Sequence, residues 1–206
     1  MSVHDWLILL WHQIKDTDGL QWLAVLLGVA EVLLAKSNKI GLYPAGIAGT
    51  VLSVYILVRA GLFAESLLNG YYIVMSIYGW WYWIKKKNVP PVRISYCNRK
   101  DRITVLWIVT GSFTLLFILL KYFTQSTVPV WDAWVSATAW AGMWLLAKRK
   151  IENWILLNIS NLFAIPLLAY KQLPLFAALT LFLFLVAVSG YLEWRKIMHQ
   201  EKPSLV

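Results

Sequence analysis

The chain lacks most of what a soluble enzyme works with. It has one cysteine, Cys97, in a basic stretch, which excludes a disulfide framework or a cysteine-based metal site within one chain. Its three histidines, His4, His12 and His199, all lie near the termini and cannot form a cluster by sequence proximity. Charged residues make up 14% of the 206 positions, against about 25% in soluble domains. Acidic residues are the scarcest, 10 against 19 Lys and Arg. No cofactor site and no metal site is expected. A hydrophobic content of 60% and a mean hydropathy of +0.62 accompany these shortages. Together with several long apolar runs they decide for an all-α integral membrane protein. The net charge of +9 is concentrated between the apolar runs. That is the pattern of cytoplasmic loops, not of a nucleic-acid surface, and no nucleic-acid partner is expected.

Residues 2–15, SVHDWLILLWHQIK, are apolar but short, with no positive leading region. They predict a helix lying in the headgroups, not a cleaved signal or a span. Asp16 to Gly19 break it. Seven spans follow, at roughly 20–35, 40–58, 62–84, 103–123, 129–147, 154–170 and 173–194. Pro44 falls in the first turn of the second, where a missing N–H costs little. The expected organisation is an N-terminal interfacial segment (1–19), a first three-helix bundle (20–84), a basic linker and connecting helix (85–127), a second three-helix bundle (128–196) and a cytoplasmic tail (197–206). With the basic linker placed inside, fifteen of the nineteen Lys and Arg fall on the cytoplasmic side. The N-terminus is then outside and the C-terminus inside, which requires an odd number of spans.

The two three-helix units resemble each other. Leu33-Leu34-Ala35-Lys36 matches Leu145-Leu146-Ala147-Lys148 at an offset of 112, and Ser76-Ile77-Tyr78-Gly79…Trp83 resembles Ala187-Val188-Ser189-Gly190…Trp194 at 111. One deleted residue reconciles the offsets. Two units of equal orientation joined by one odd helix are parallel repeats, with a pathway between them.

The polar residues inside the spans are few and patterned. Asn69, Tyr72 and Ser76 share one face of the third span, and Trp154, Asn158, Asn161 and Ile165 one face of the sixth. An amide in hydrocarbon needs a partner, so these asparagines serve either interhelical hydrogen bonds or a ligand. Trp140 and Trp144 stand one turn apart on the fifth span, open to ligand stacking or to an interfacial belt. Glu31 is the one acid well inside a span, a functional group by default, or else a structural pair with Lys36 about one turn away. Asp132 and Glu65, near span ends, read as solvated. Stacked indoles and phenols with amides suit a flat heteroaromatic ring, best a cationic one. No paired basic residues stand within the spans to receive a phosphate, which favours the dephosphorylated form of such a ligand.

The stretch LLAKSNKIGLYPAGIAGTVLSVYIL…GLFAESLLNGYYIVMSIYGWWYW carries a resemblance. Its marks are Lys36 and Asn38, Tyr43-Pro44, Gly46, Gly61-Leu62, Ala64-Glu65 and Tyr78-Gly79-Trp80-Trp81. Trp144-Leu145-Leu146-Ala147, Glu152-Asn153-Trp154 and Gly190-Tyr191…Trp194 continue it in the second half. The chain resembles the PnuC family of bacterial B-vitamin transporters over nearly its whole length after residue 20. The resemblance implies a SWEET-like 3+1+3 architecture in the inner membrane and no enzyme activity. It implies uniport of nicotinamide riboside, a vitamin precursor, by facilitated diffusion, with phosphorylation by a cytoplasmic kinase trapping the product. It also implies a homotrimer with one pathway per subunit. Met143 stands where the family often has Gln, and Leu157 where it often has a second Trp. Thiamine, carried by other members, is the alternative substrate.

Overall fold

The computed structural model describes residues 3–61, 63–85, 93–124 and 126–200. Among these it is all-helical: α1 (Val3–Asp16), α2 (Gly19–Lys36), α3 (Leu42–Arg59), α4 (Phe63–Lys85), α5 (Arg99–Phe123), α6 (Pro129–Ala147), α7 (Asn153–Tyr170) and α8 (Pro174–Gln200). α1 packs on α8 alone. There the Gln13 side chain donates to the Gln172 carbonyl and accepts from the Leu175 N–H, at 3.0 and 3.1 Å. α2, α5, α8, α3 and α7 are each long and apolar enough to cross a membrane. α4 and α6, of 23 and 19 residues, have crossing length at 1.5 Å per residue. Four Trp and Asp132 lower the hydropathy of α6. The expectation of seven spans thus meets five helices that qualify on length and hydropathy together.

Local chemistry sets the boundaries. The Asp18 carboxylate caps α2 by accepting the Gly19 N–H. Asn98 and Asp101 form a reciprocal capping box at the head of α5. The fourth helix therefore starts at Arg99, four residues before the expected position. The last helix also runs past Trp194, where a polar tail was expected, to Gln200. Its Ile197 and Met198 pack against the main core. The linker is held by a single bridge between Ser95 and Lys150: the Ser95 N–H donates to the Arg149 carbonyl, and the Ile151 N–H to that of Ser95.

α3 touches both α2 and α4, and α7 touches both α6 and α8. The two groups meet along α4–α6 and along α2–α8, while α5 lies mainly on α6. Features recur across the groups at a spacing of 111. α3 spans 42–59 and α7 153–170. Positive φ angles fall at Asn38 and Arg149 (53° and 52°), and again at Gly61 and Gln172 (75° and 56°). The turn bond from Lys39 N to the Leu34 carbonyl recurs from Lys150 N to Leu145. This spacing also holds at the ends of α2 and α6, Lys36 and Ala147. The expected one-residue deletion is therefore not needed, and the shared Leu-Leu-Ala-Lys string lies one residue out of structural register.

Two tryptophans join the groups. The Trp83 indole donates to the Ala147 carbonyl at 3.1 Å, and the Trp194 indole donates to the Ala35 carbonyl at 2.9 Å. Each ring meets an aromatic of its own group edge-on: Tyr43 against Trp83 at 5.1 Å, Trp154 against Trp194 at 5.7 Å. Gly79 and Gly190 give those partners room, since a methyl group there would overlap Tyr43 and Trp154 respectively. Trp194→Phe keeps most of the packing but removes the bond across the seam, the Ala35 carbonyl keeping the Asn38 N–H at 2.9 Å. It is expected to cost about 0.5–1.5 kcal/mol and to lower the Tm of the detergent-purified protein. Leu192→Ala, at a half-exposed position, serves as the control and is expected to change it little.

Candidate functional site

The first group encloses a carboxylate. Glu31 of α2 is half-buried and lies directly over Gly46 of α3, where any Cβ would overlap its oxygens. It is within electrostatic reach of Tyr43 and Tyr72. Among the described residues no Lys or Arg comes within 4 Å of it, so the alternative pairing with Lys36 does not form. At the positions 111 residues on, the arrangement is reversed. Leu157 of α7 covers Gly142 of α6. One half fills this space with an acid from its first helix, the other with a leucine from its second.

From Glu31 the site continues through aromatics to the other group. Tyr72 meets Tyr71 edge-on at 6.1 Å. Tyr71 stacks on Trp140 of α6 at 4.1 Å with 15° between planes, and its hydroxyl donates to the Trp140 carbonyl at 3.0 Å. The Trp140 indole N–H and the Tyr43 hydroxyl are buried with no hydrogen-bond partner among the described residues. Such groups are costly to leave unpaired. Ser76, one turn past Tyr72, is 1% exposed, and Asn69, one turn before it, is half-buried. The structure thus brings together Glu31, Tyr72 and Trp140 of the expected residues, with Asn69 and Ser76 flanking them on α4.

The other three lie apart from this file. Trp144 lies beneath the Lys148 ammonium, which sits 4.4 Å from the Tyr82 ring centroid, 5.2 Å from Tyr78 and 6.0 Å from Trp144. Asn158 lines a separate pocket of about 280 Å³ between α7 and α8, with Trp154, Ile155, Val188, Tyr191 and Leu192. Its side-chain oxygen has no partner among the described residues. Asn161 is half-buried on the next turn of α7. Sequence reasoning missed Tyr71, which sits beside Tyr72 but 100° around the helix. Its role depends on α6, far away in the chain. It also missed Arg149, whose guanidinium lies 3.7 Å from the Trp83 ring centroid.

Asp132, expected to be solvated, is instead largely covered. Its carboxylate takes the Lys171 ammonium at 2.6 Å and a hydrogen bond from the Ser126 hydroxyl. The Glu65 side chain lies outside the described residues. At the opposite end of α6, Lys150 pairs with Asp101 at 3.1 Å and donates to Ser95 and to the Tyr96 carbonyl. Glu152 accepts the Cys97 N–H at 2.8 Å. These contacts fasten the linker to the α6–α7 turn.

Among the described residues, eight helices with apolar surfaces carry this file of side chains from one group to the other. The model of the nicotinamide mononucleotide transporter family matches residues 18–196. The chain belongs to the nicotinamide mononucleotide transporter family. It is a multi-pass membrane transporter and not an enzyme. Nicotinamide riboside transporter PnuC of Escherichia coli (strain K12) is 22% identical over 205 residues, covering 87% of this chain and 86% of that protein. The Shigella flexneri transporter of the same name matches equally. A solved structure, the crystal structure of the vitamin B3 transporter PnuC, matches with a TM-score of 0.71 at 21% identity, over 96% of this chain and 91% of that one. It shares the fold of this family member.

Outside the spans, burial foremost and then the neighbouring Glu152 push the Cys97 thiol up to about 12 from 9.0. At pH 8 its thiolate population falls on the order of a thousandfold below that of an ordinary thiol. Cys97 is expected to resist iodoacetamide in the folded protein and to react promptly once denatured. Mass spectrometry of timed samples checks this.

Proposed function

We propose that this transporter carries nicotinamide riboside into the cell by facilitated diffusion. The supporting observation is the file from Glu31 through Tyr72 and Tyr71 to Trp140, which crosses from one helix group to the other. Aromatic faces and one acid suit a flat, positively charged ring. The family carries the name of the mononucleotide and the relatives that of the riboside. The residues favour the riboside, because a phosphate would meet Glu31 in the interior. Lys148, Arg149 and Lys171 stand at helix ends, already engaged with aromatic rings or Asp132. The relatives' names also favour nicotinamide riboside over thiamine.

The finer architecture follows the same reading. α2–α4 and α6–α8 are parallel repeats joined by α5, giving seven spans in a SWEET-like 3+1+3 order, and the 111-residue register supports it. The Lys and Arg distribution orients the N-terminus outside and the C-terminus in the cytoplasm of a bacterial inner membrane, with α1 in the headgroups. A homotrimer, and a cytoplasmic kinase that phosphorylates the incoming riboside, complete the proposal. The substrate-contacting residues are Glu31, Asn69, Tyr72, Ser76, Trp140, Trp144, Asn158 and Asn161, to which the geometry adds Tyr71.

Proteoliposomes holding the purified protein are expected to take up labelled nicotinamide riboside until inside and outside concentrations match, with sodium and proton gradients collapsed. Loss of all uptake under those conditions would reject uniport. Trp140→Leu removes the stack with Tyr71. It is expected to weaken riboside binding roughly three- to thirtyfold, the range that aromatic and cation–π contacts span, while the protein remains monodisperse. Asn158→Leu is expected to weaken binding without unfolding. An unchanged Kd would remove that residue from the site.

A further inference from the structure

We infer that Glu31 is the charge-selecting residue of this transporter, the group by which a cationic ring is taken and a neutral ring of the same outline is refused. The inference rests on the transport reading above and narrows its substrate class.

Three observations carry it. Glu31 is the acid placed deepest in the helices, and among the described residues no cation lies within 4 Å of its carboxylate. The cationic group that also senses Tyr43, Arg149, is held over the Trp83 ring at 3.7 Å. The carboxylate is therefore not half of a structural ion pair. Its position is also built. Gly46 leaves the space the oxygens occupy, while the equivalent space in the other half is filled by Leu157 over Gly142. The fold accepts an apolar side chain in this space, so packing alone does not call for an acid. Finally, the acid is half-buried and within electrostatic reach of Tyr72, whose ring adjoins Tyr71 and, across the seam, Trp140. A positive ring stacked in that file places its charge against both π faces and a carboxylate, and each term favours the cation over a neutral ring. A carboxylate in a span without a cation is unfavourable by itself. A cationic ligand compensates it, and a neutral one leaves it as it was.

Oxidised and reduced nicotinamide riboside test this directly. They differ by one hydride: the oxidised ring is a cation, the dihydro ring is neutral, and their outlines are nearly the same. Binding of each to the purified protein is measured by calorimetry. The wild type is expected to hold the cation at least tenfold more tightly than the neutral form. Glu31→Gln, close to isosteric, is expected to bring the two within about twofold by weakening the cation alone. Gly46→Ala keeps the charge but displaces it, and is expected to narrow the ratio while leaving Glu31 in place. It serves as the second reading should Glu31→Gln not fold. A tenfold preference that survives both substitutions overturns the assignment, as does a wild type that binds the two forms equally. A wild type that binds neither form overturns the proposed substrate itself, and the assignment with it.

Discussion

Hydrocarbon cannot solvate a carbonyl, and the last turn of every helix leaves carbonyls without an intrahelical donor. At the ends of α2 and α6 part of the remedy comes from the opposite helix group, the Ala35 carbonyl also taking the local Asn38 N–H. Trp194 reaches the Ala35 carbonyl and Trp83 reaches that of Ala147. Both indoles are buried, at 0% and 6% exposure, so neither water nor lipid offers a substitute. The two groups cannot part at this end without stranding two buried indole donors, although the Ala35 carbonyl keeps the Asn38 N–H. Glycines at 79 and 190, the edge-on partners Tyr43 and Trp154, and the Arg149 guanidinium on Trp83 are all arranged around these bonds.

A scaffold tied so symmetrically at one end makes its asymmetries informative. The backbone repeats at 111 residues through turns, helix limits and hydrogen bonds. The side chains do not repeat where the groups face each other farther along. Glu31 over Gly46 becomes Leu157 over Gly142, and Tyr72 corresponds to Leu183. Glu31 and its aromatic neighbours therefore belong to the first group, and reach the second through one stacked pair, Tyr71 on Trp140. On the proposed reading, the repeat supplies two bodies able to rock against each other, and the broken symmetry supplies a site with a definite charge.

The fold was largely legible because a bilayer leaves few options. The shortage of charge and the length of the apolar runs located α2, α3, α4, α6 and α7 to within two residues. The errors fell where polar residues were read as linker or tail. Asn98 and Asp101 begin α5 through a capping box, although their segment is basic and polar. Ile197 and Met198 continue the apolar face of α8 one turn beyond Trp194, and that spacing was already present in the sequence. The site was legible only in part. Helical spacing correctly places Asn69, Tyr72 and Ser76 along one helix, but it cannot say what another helix brings to meet them. Trp144 shares a face with Trp140, yet it is taken by Lys148 one turn on. Tyr71 became visible only once α6 was packed on α4.

The charge of the whole chain, +9, taken without regard to its placement, opposes a cationic solute. Its placement resolves the conflict. Lys171 is neutralised by Asp132, and Lys150 by Asp101. Lys148 and Arg149 have their charge spread over aromatic faces. These four cations at the helix ends are thus engaged, while among the described residues no cation lies within 4 Å of Glu31. On the proposed reading, a positive ring finds its most favourable electrostatic position between the two ends and not at either. A single carboxylate also limits how tightly that ring is held. Two would bind it more firmly, but conduction requires that a bound solute leave as readily as it enters. On the proposed reading, stacking surfaces that are indifferent to direction, with one charge to select the solute, suit a carrier that couples to no gradient and equilibrates its substrate across the membrane.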